Sequence, residues 1–315
     1  MSSPSEIAAS RLRELPCGPS QFFALARERY RMLLRRKDMD VALGGNKPYP
    51  GPWSDDPVLA AYRFCNVFRE DDKTTAWFRY HVRDRYKMHP SNAIVATIAF
   101  RWFNRIETGE LLLPMLRGEV DQRGLAWDSD FARTALRNVR PLVTGAYMIK
   151  TPTGMSKLEG IIWCMERLFD DGSRVISRIL SGPDKTLEEV HEILCTLPFL
   201  GPFMAYEVVT DLRHTNLLCR AADIDTWASP GPGCVRGASW VEFQRGDCLR
   251  RGAKRDEATL GKVMRNLMLM STEERHWPAE WPQWEMREVE HWLCEYDKWC
   301  RATYNGQTLK RRYEC

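Results

Sequence analysis

A chain of 315 residues is long enough for one large domain or two closely packed ones. Hydrophobic residues make up 44% and charged residues 28%, which supports a globular core and excludes wholesale disorder. The formal charge of +4 permits a nucleic-acid partner without demanding one, and the absence of any apolar run of about 18 residues excludes a membrane span.

Residue usage narrows this further. Twelve tryptophans scattered among many arginines suit base stacking, although most tryptophans in a globular chain belong to the core. The ten cysteines lie at irregular spacings with no Cys-x-x-Cys pair. They read as reduced cytoplasmic thiols, and neither a metal site nor a cofactor is expected. Met1 to Ser10 lacks a basic-then-apolar signal pattern.

Along the chain the pattern is mainly α. Ser20 followed by QFFALARERYRMLLRRK predicts a capped amphipathic helix. Residues 44–57 form a Gly/Pro-rich loop, so residues 1–54 are read as an N-terminal helix and loop, and 55–315 as one helical domain. Asp56 and Pro57 provide a cap and a first turn for a helix through VLAAYRFCNVFRE. Further helices are expected near 91–107, 129–139, 155–170 and 186–196, and TGAYMIKT (144–151) is the best strand candidate.

A hairpin is expected over 186–212. Thr186 and Glu189 form a capping box opening LEEVHEILCTL. That run meets Leu197-Pro198-Phe199-Leu200-Gly201, and Pro202 opens a second helix, FMAYEVVTDL. Gly201 and the amides at the start of the second helix could receive a DNA phosphate, or the segment could be an ordinary helical hairpin. Beyond it lie Asp223, Asp225 and Trp227, then SPGPGCVRG (229–237) with Gly231, Gly233 and Gly237. The latter run reads as a constrained loop able to approach a ligand, with Arg236 able to grip a phosphate or carboxylate. A loop that merely turns the chain is the alternative, as is helix capping for the two aspartates.

Leu197 to Gly201 resembles the Leu-Pro-Gly-x-Gly hairpin of helix–hairpin–helix DNA glycosylases, with Phe199 in place of the first glycine. The resemblance implies a glycosylase-like architecture and a catalytic aspartate about twenty residues on. Asp223 fits the spacing and Asp225 the local context. The bifunctional members carry a nucleophilic lysine where this chain has Phe203, so lyase chemistry is not expected.

Three segments together resemble a narrower group. They are Asn66 to Glu70 with Asp72 and Thr75-Ala76-Trp77, then Asp223 to Gly237, then Val289 to Lys298. They are similar to the alpha-glutamyl/putrescinyl thymine pyrophosphorylases and the helical domain associated with 5-hydroxymethyluracil DNA kinases, over roughly 55–315. The resemblance implies a phage enzyme of the host bacterial cytoplasm that makes hypermodified thymidine. It would act on DNA carrying phosphorylated 5-hydroxymethyluracil, after such a kinase, and replace the phosphate or pyrophosphate with a free amino acid or amine, glycine among the candidates. The target base would leave the stack. Asp225 and Asp223 are the candidate bases and His291 the candidate acid. Arg236 and Arg69 would hold phosphate or carboxylate. Asn66, Glu70, Asp72, Gly233 and Glu290 are further substrate-side candidates, each with an ordinary structural role as the alternative. Gly201, Phe203, Trp227, Lys298 and the tail Lys310-Arg311-Arg312 are candidates for contact with DNA.

A P-loop kinase is excluded, because Gly261-Lys262 is followed by Val263 and preceded by Asp256 where the first glycine belongs. A monofunctional glycosylase and a non-catalytic DNA-binding partner of the kinase remain as alternatives.

Overall fold

Pro19 opens the first long helix, α1 (Pro19–Ala42), one residue ahead of the expected Ser20 cap. A first-turn proline loses nothing, since that N–H has no helical partner. A computed structural model describes residues 8–42, 51–117, 127–146, 148–170, 173–182 and 184–313. Part of the expected 44–57 loop therefore lies outside the described residues. Phe22, Phe23, Leu25, Ala26 and Tyr30 of α1 are buried, while the Gln21 amide donates to Leu12 O, Leu15 O and the Tyr304 hydroxyl.

Asp56 caps α2 (Pro57–Ala61), its carboxylate accepting from the N–H groups of Val58 and Leu59. The helix expected to run through Glu70 stops at Ala61. Tyr62 instead pairs with Arg312 in an isolated antiparallel bridge, with Arg63 N donating to Arg311 O and Tyr313 N to Ala61 O. The backbone that follows is held by Arg29, His291, Glu295 and Lys298, up to a 3-10 turn at Arg69–Asp71. Tertiary hydrogen bonds outweigh helix propensity there.

The chain then builds a second unit, 72–229, whose helices are α3 (Lys73–His81), α4 (Pro90–Phe103), α5 (Ile106–Leu116), α6 (Ser129–Leu136), α7 (Lys157–Asp170), α8 (Ser173–Leu180), α9 (Leu187–Leu194) and α10 (Pro202–Leu212). Helix α4 is almost wholly buried and packs against α10. Between them Arg101 grips both oxygens of Asp211 at 2.6 and 2.8 Å, with Arg83 3.7 Å away and Asn104 accepting a further Arg101 N–H. Charges this deeply buried are tolerated because they are paired and hydrogen-bonded.

The expected strand at 144–151 is absent among its described residues. Thr144 N donates to Phe103 O, Ala146 N to the Thr144 hydroxyl, and the Lys157 ammonium to Ile149 O. Among the described residues no neighbouring strand exists to receive a ladder. The hairpin is present. Thr186 and Glu189 make the reciprocal capping box, buried Leu197 and Leu200 pin the turn, and Pro202 opens α10.

The first unit is completed by 230–315, with α11 (Pro232–Phe243), α12 (Lys254–Met270) and α13 (Met286–Tyr304). Here the expected ligand loop is corrected. Gly231 is the N-cap of α11, Pro232 its first residue, and Gly233 and Gly237 lie inside the helix. A Cβ on Gly237 would fall 2.0 Å from Leu293 O, and one on Gly233 would lie 3.0 Å from Cys294 Sγ. The glycines let α11 and α13 approach backbone to backbone.

Trp277, Trp284, Trp292 and Trp299 are buried in this unit, with Trp292 donating to Phe22 O and Trp299 to the Asp56 carboxylate. Among the described residues the protein is all-helical, with no named strand, and no helix is long and apolar enough to cross a membrane. None of the nine described cysteines is bonded in a disulfide.

Candidate functional site

The expected site residues fall into two groups, one in each unit. In the first unit they gather along the buried α13. Its Glu285-x-x-Glu288 start forms a reciprocal capping box. Burial pushes the Glu288 carboxyl up to about 7. Next along, Glu290 is buried and accepts from Gly231 N at 3.1 Å, with the Cys294 thiol 3.8 Å away. Burial, helped by the nearby Glu290 charge, holds that thiol well above its usual range, so Cys294 is not a thiolate nucleophile.

His291 Nε2 donates to the Asn66 backbone carbonyl at 3.1 Å. Asn66 is itself fixed, its amide donating to Asp71 O and its carbonyl accepting from Arg29. Glu70, in the 3-10 turn with Arg69, lies 3.7 Å from Arg287. Burial raises Glu295, but Lys298, His291 and the Cys65 N–H together more than offset it, so the carboxyl sits below its ordinary range.

Two expectations here meet engaged side chains. Lys298 donates to Arg63 O at 2.8 Å and Glu295 at 3.1 Å, and stands over the Phe64 ring. Its ammonium braces the 62–67 segment. Arg236 Nε reaches Asp297 at 3.0 Å, sharing the oxygen that Arg301 also contacts. Gly233 is a packing residue of α11, as described above. In the tail, Arg312 donates to the Tyr62 hydroxyl and stands over that ring.

The second unit separates the two aspartates. The Asp223 carboxylate accepts from Leu187 N at 2.8 Å and from Glu188 N at 3.0 Å, so it caps α9 from outside that helix. This is the capping role weighed above, played for a helix 36 residues earlier. Asp225 is exposed and its carboxylate has no hydrogen bond or ion pair among the described residues. It is the open carboxylate of the pair. Asp72 starts α3 as its N-cap, using its carbonyl rather than its side chain.

Close to Asp225 in sequence, half-buried Trp227 lies 5.2 Å from the His191 ring and 5.7 Å from Tyr206. His191 Nε2 donates to Pro202 O at 2.9 Å, tying α9 to the start of α10. Desolvation lowers its pKa and favours the neutral imidazole. Sequence reasoning passed over His191 in favour of His291. Its position four residues before Cys195, inside the capping-box helix, was the available signal. Gly201 and Phe203 flank the open N-terminus of α10, both exposed.

Comparison with known proteins gives the family. A family model described as "5-hmdU DNA kinase, helical domain" matches residues 19–308. That match begins in α1, well upstream of residue 55, where the motif resemblance starts. A curated relative, the 5-hmdU DNA kinase of Bacillus phage SP10, is 25% identical over 283 residues, 84% of this chain and 42% of the relative. The chain thus spans less than half the length of that protein. No solved structure matches it.

Proposed function

Since the chain belongs to the 5-hmdU DNA kinase helical-domain family, we propose that it transfers an amino acid onto phosphorylated 5-hydroxymethyluracil in DNA. The observation that carries the chemical part of this reading is the division of labour between Asp223 and Asp225. One carboxylate is committed to two backbone N–H groups. The other is exposed and unpartnered among the described residues, two positions before Trp227, which packs against His191 and Tyr206.

In the proposed reaction the amino nitrogen forms a bond to the 5-methylene carbon, and the carbon–oxygen bond to phosphate breaks. The phosphate leaves with the bonding pair, and Asp225 accepts the ammonium proton. A positioned carboxylate helps because few amino groups are free base near neutral pH. Loss of phosphate at that carbon is chemically accessible, since the pyrimidine ring delocalises the electron deficiency. The extruded base would lie against Trp227, and the amides at the α10 N-terminus would receive a DNA phosphate.

The test is mass spectrometry of nucleosides from 5-hydroxymethyluracil DNA treated with a hydroxymethyluracil DNA kinase and ATP, then with this protein and mixed amino acids. A nucleoside heavier by an amino acid, absent with Asp225→Asn, is expected. Asp223→Ala, which removes both acceptor oxygens, should instead lower stability by about 1 kcal/mol through loss of the cap, and keep measurable transfer. Unchanged phosphorylated nucleoside with active kinase would sink the proposal, and an abasic product would replace it with a glycosylase.

A further inference from the structure

The hairpin tip carries an arrangement that the transfer reaction does not use. From Thr196 to Tyr206 the chain has no charged residue. Leu197 and Leu200 turn inward, whereas Phe199 is 41% exposed and Phe203 50% exposed. Phe199 also holds a left-handed backbone, φ 60°. That conformation suits glycine and is disfavoured for a bulky side chain. The fold keeps a large ring at a place where the backbone alone would select glycine, and directs it to solvent.

The surroundings say what such a ring faces. Phe199 meets Trp163 of α7 edge-on, with centroids 6.1 Å apart. The Arg167 guanidinium lies over the Trp163 ring at 5.7 Å. Two flat rings and a guanidinium plane thus stand next to the α10 N-terminus, where Gly201 provides no side-chain cap. Rings and guanidinium planes accept base faces, and cations and helix N-termini accept phosphates. A protein partner would need the rings but not the guanidinium plane and the helix N-terminus beside them.

We propose that Phe199, backed by Trp163 and Arg167, is a wedge that stacks on a nucleobase and opens the base step of DNA held at the hairpin. This rests on the reading of the chain as acting on DNA. It adds a device for extruding the target base, since inserted apolar side chains unstack the step they enter.

The test uses the full chain and a duplex with one 5-hydroxymethyluracil flanked by 2-aminopurine, whose emission rises when it unstacks. Phe199→Gly removes the ring while relieving the backbone, so the variant should unfold at a temperature equal to or above the unmodified chain. Its DNA affinity should fall roughly 5- to 150-fold, the range for loss of one base–aromatic stack, and the emission rise should disappear. Phe199→Asn, also at ease in a left-handed backbone, should behave alike and guards against a fault peculiar to glycine. Undiminished affinity and emission in both variants would overturn the wedge and leave the DNA reading standing, with the rings assigned to a protein partner. Failure of the unmodified chain to bind the duplex would defeat the DNA reading itself, and the wedge with it.

Discussion

Among single residues, Glu288 has the clearest measurable signature. Burial raises its carboxyl from 4.5 to about 7, so folding favours the protonated form. Stability from this group is complete below about pH 4.5 and is lost as pH rises through 7. Glu288→Gln keeps an acceptor for Glu285 N and removes the titration. Relative to the unmodified chain, the variant should gain up to roughly 3 kcal/mol between pH 4.5 and 7.5 in denaturant unfolding. Parallel curves for the two proteins across that range would show that the carboxyl titrates normally. The Glu-x-x-Glu spacing is local to the sequence, but the burial of Glu288 is not, because the covering elements lie far away in the chain. The same limit hid the difference between Asp223 and Asp225. The N–H groups that claim Asp223 belong to Leu187 and Glu188, and nothing local to the Asp-Ile-Asp run points to them.

Elements were legible where local chemistry decides them. The Thr186 box, the Asp56 cap and the Pro202 helix start follow from side chains within a few residues of the backbone they serve. The misread segment 229–237 shows the opposite case. Its glycines and prolines suggest a loop, yet Pro232 is a first-turn proline, and Gly233 and Gly237 are four residues apart on one helical face. What they serve is α13, more than fifty residues downstream. Gly237→Ala would place a methyl 2.0 Å from Leu293 O, a backbone atom that cannot move without the helix. A loss of roughly 3 kcal/mol or more is expected, the upper end for overpacking. Gly233→Ala meets the Cys294 side chain at 3.0 Å, which can rotate, so its cost should be clearly smaller. Denaturation midpoints for the two variants check the difference, and equal values would mean that α11 does not sit this close to α13.

At the scale of the whole molecule, the chain order is what matters. The first unit is made of both ends, 1–71 and 230–315, and the second unit is the stretch between them. The family match, 19–308, runs through both. Within the first unit, the large rings of α1 lie mainly against residues from the second half, Tyr30 also meeting Phe68. Phe22 packs against Trp284 and Tyr296, Phe23 against His276 and Trp284, and Tyr30 against Trp277 and Trp281. Residues 72–229, by contrast, carry their own core from Phe78 to Ala221 and their own buried Arg101–Asp211 pair. A chain ending at Ser229 should therefore divide in behaviour. Limited proteolysis followed by mass spectrometry should leave a resistant fragment close to 72–229 and digest α1, whose large apolar face would be open to water. Protection of α1 in that truncated chain would mean that the second half of the first unit is not what holds it. The short arm from Cys65 to Asp71 should be digested with it, because Asn66 and Cys65 owe their positions to His291 and Glu295 of α13. Loss of the far end of the chain would thus remove the polar cluster of the first unit while sparing Asp225 and the hairpin.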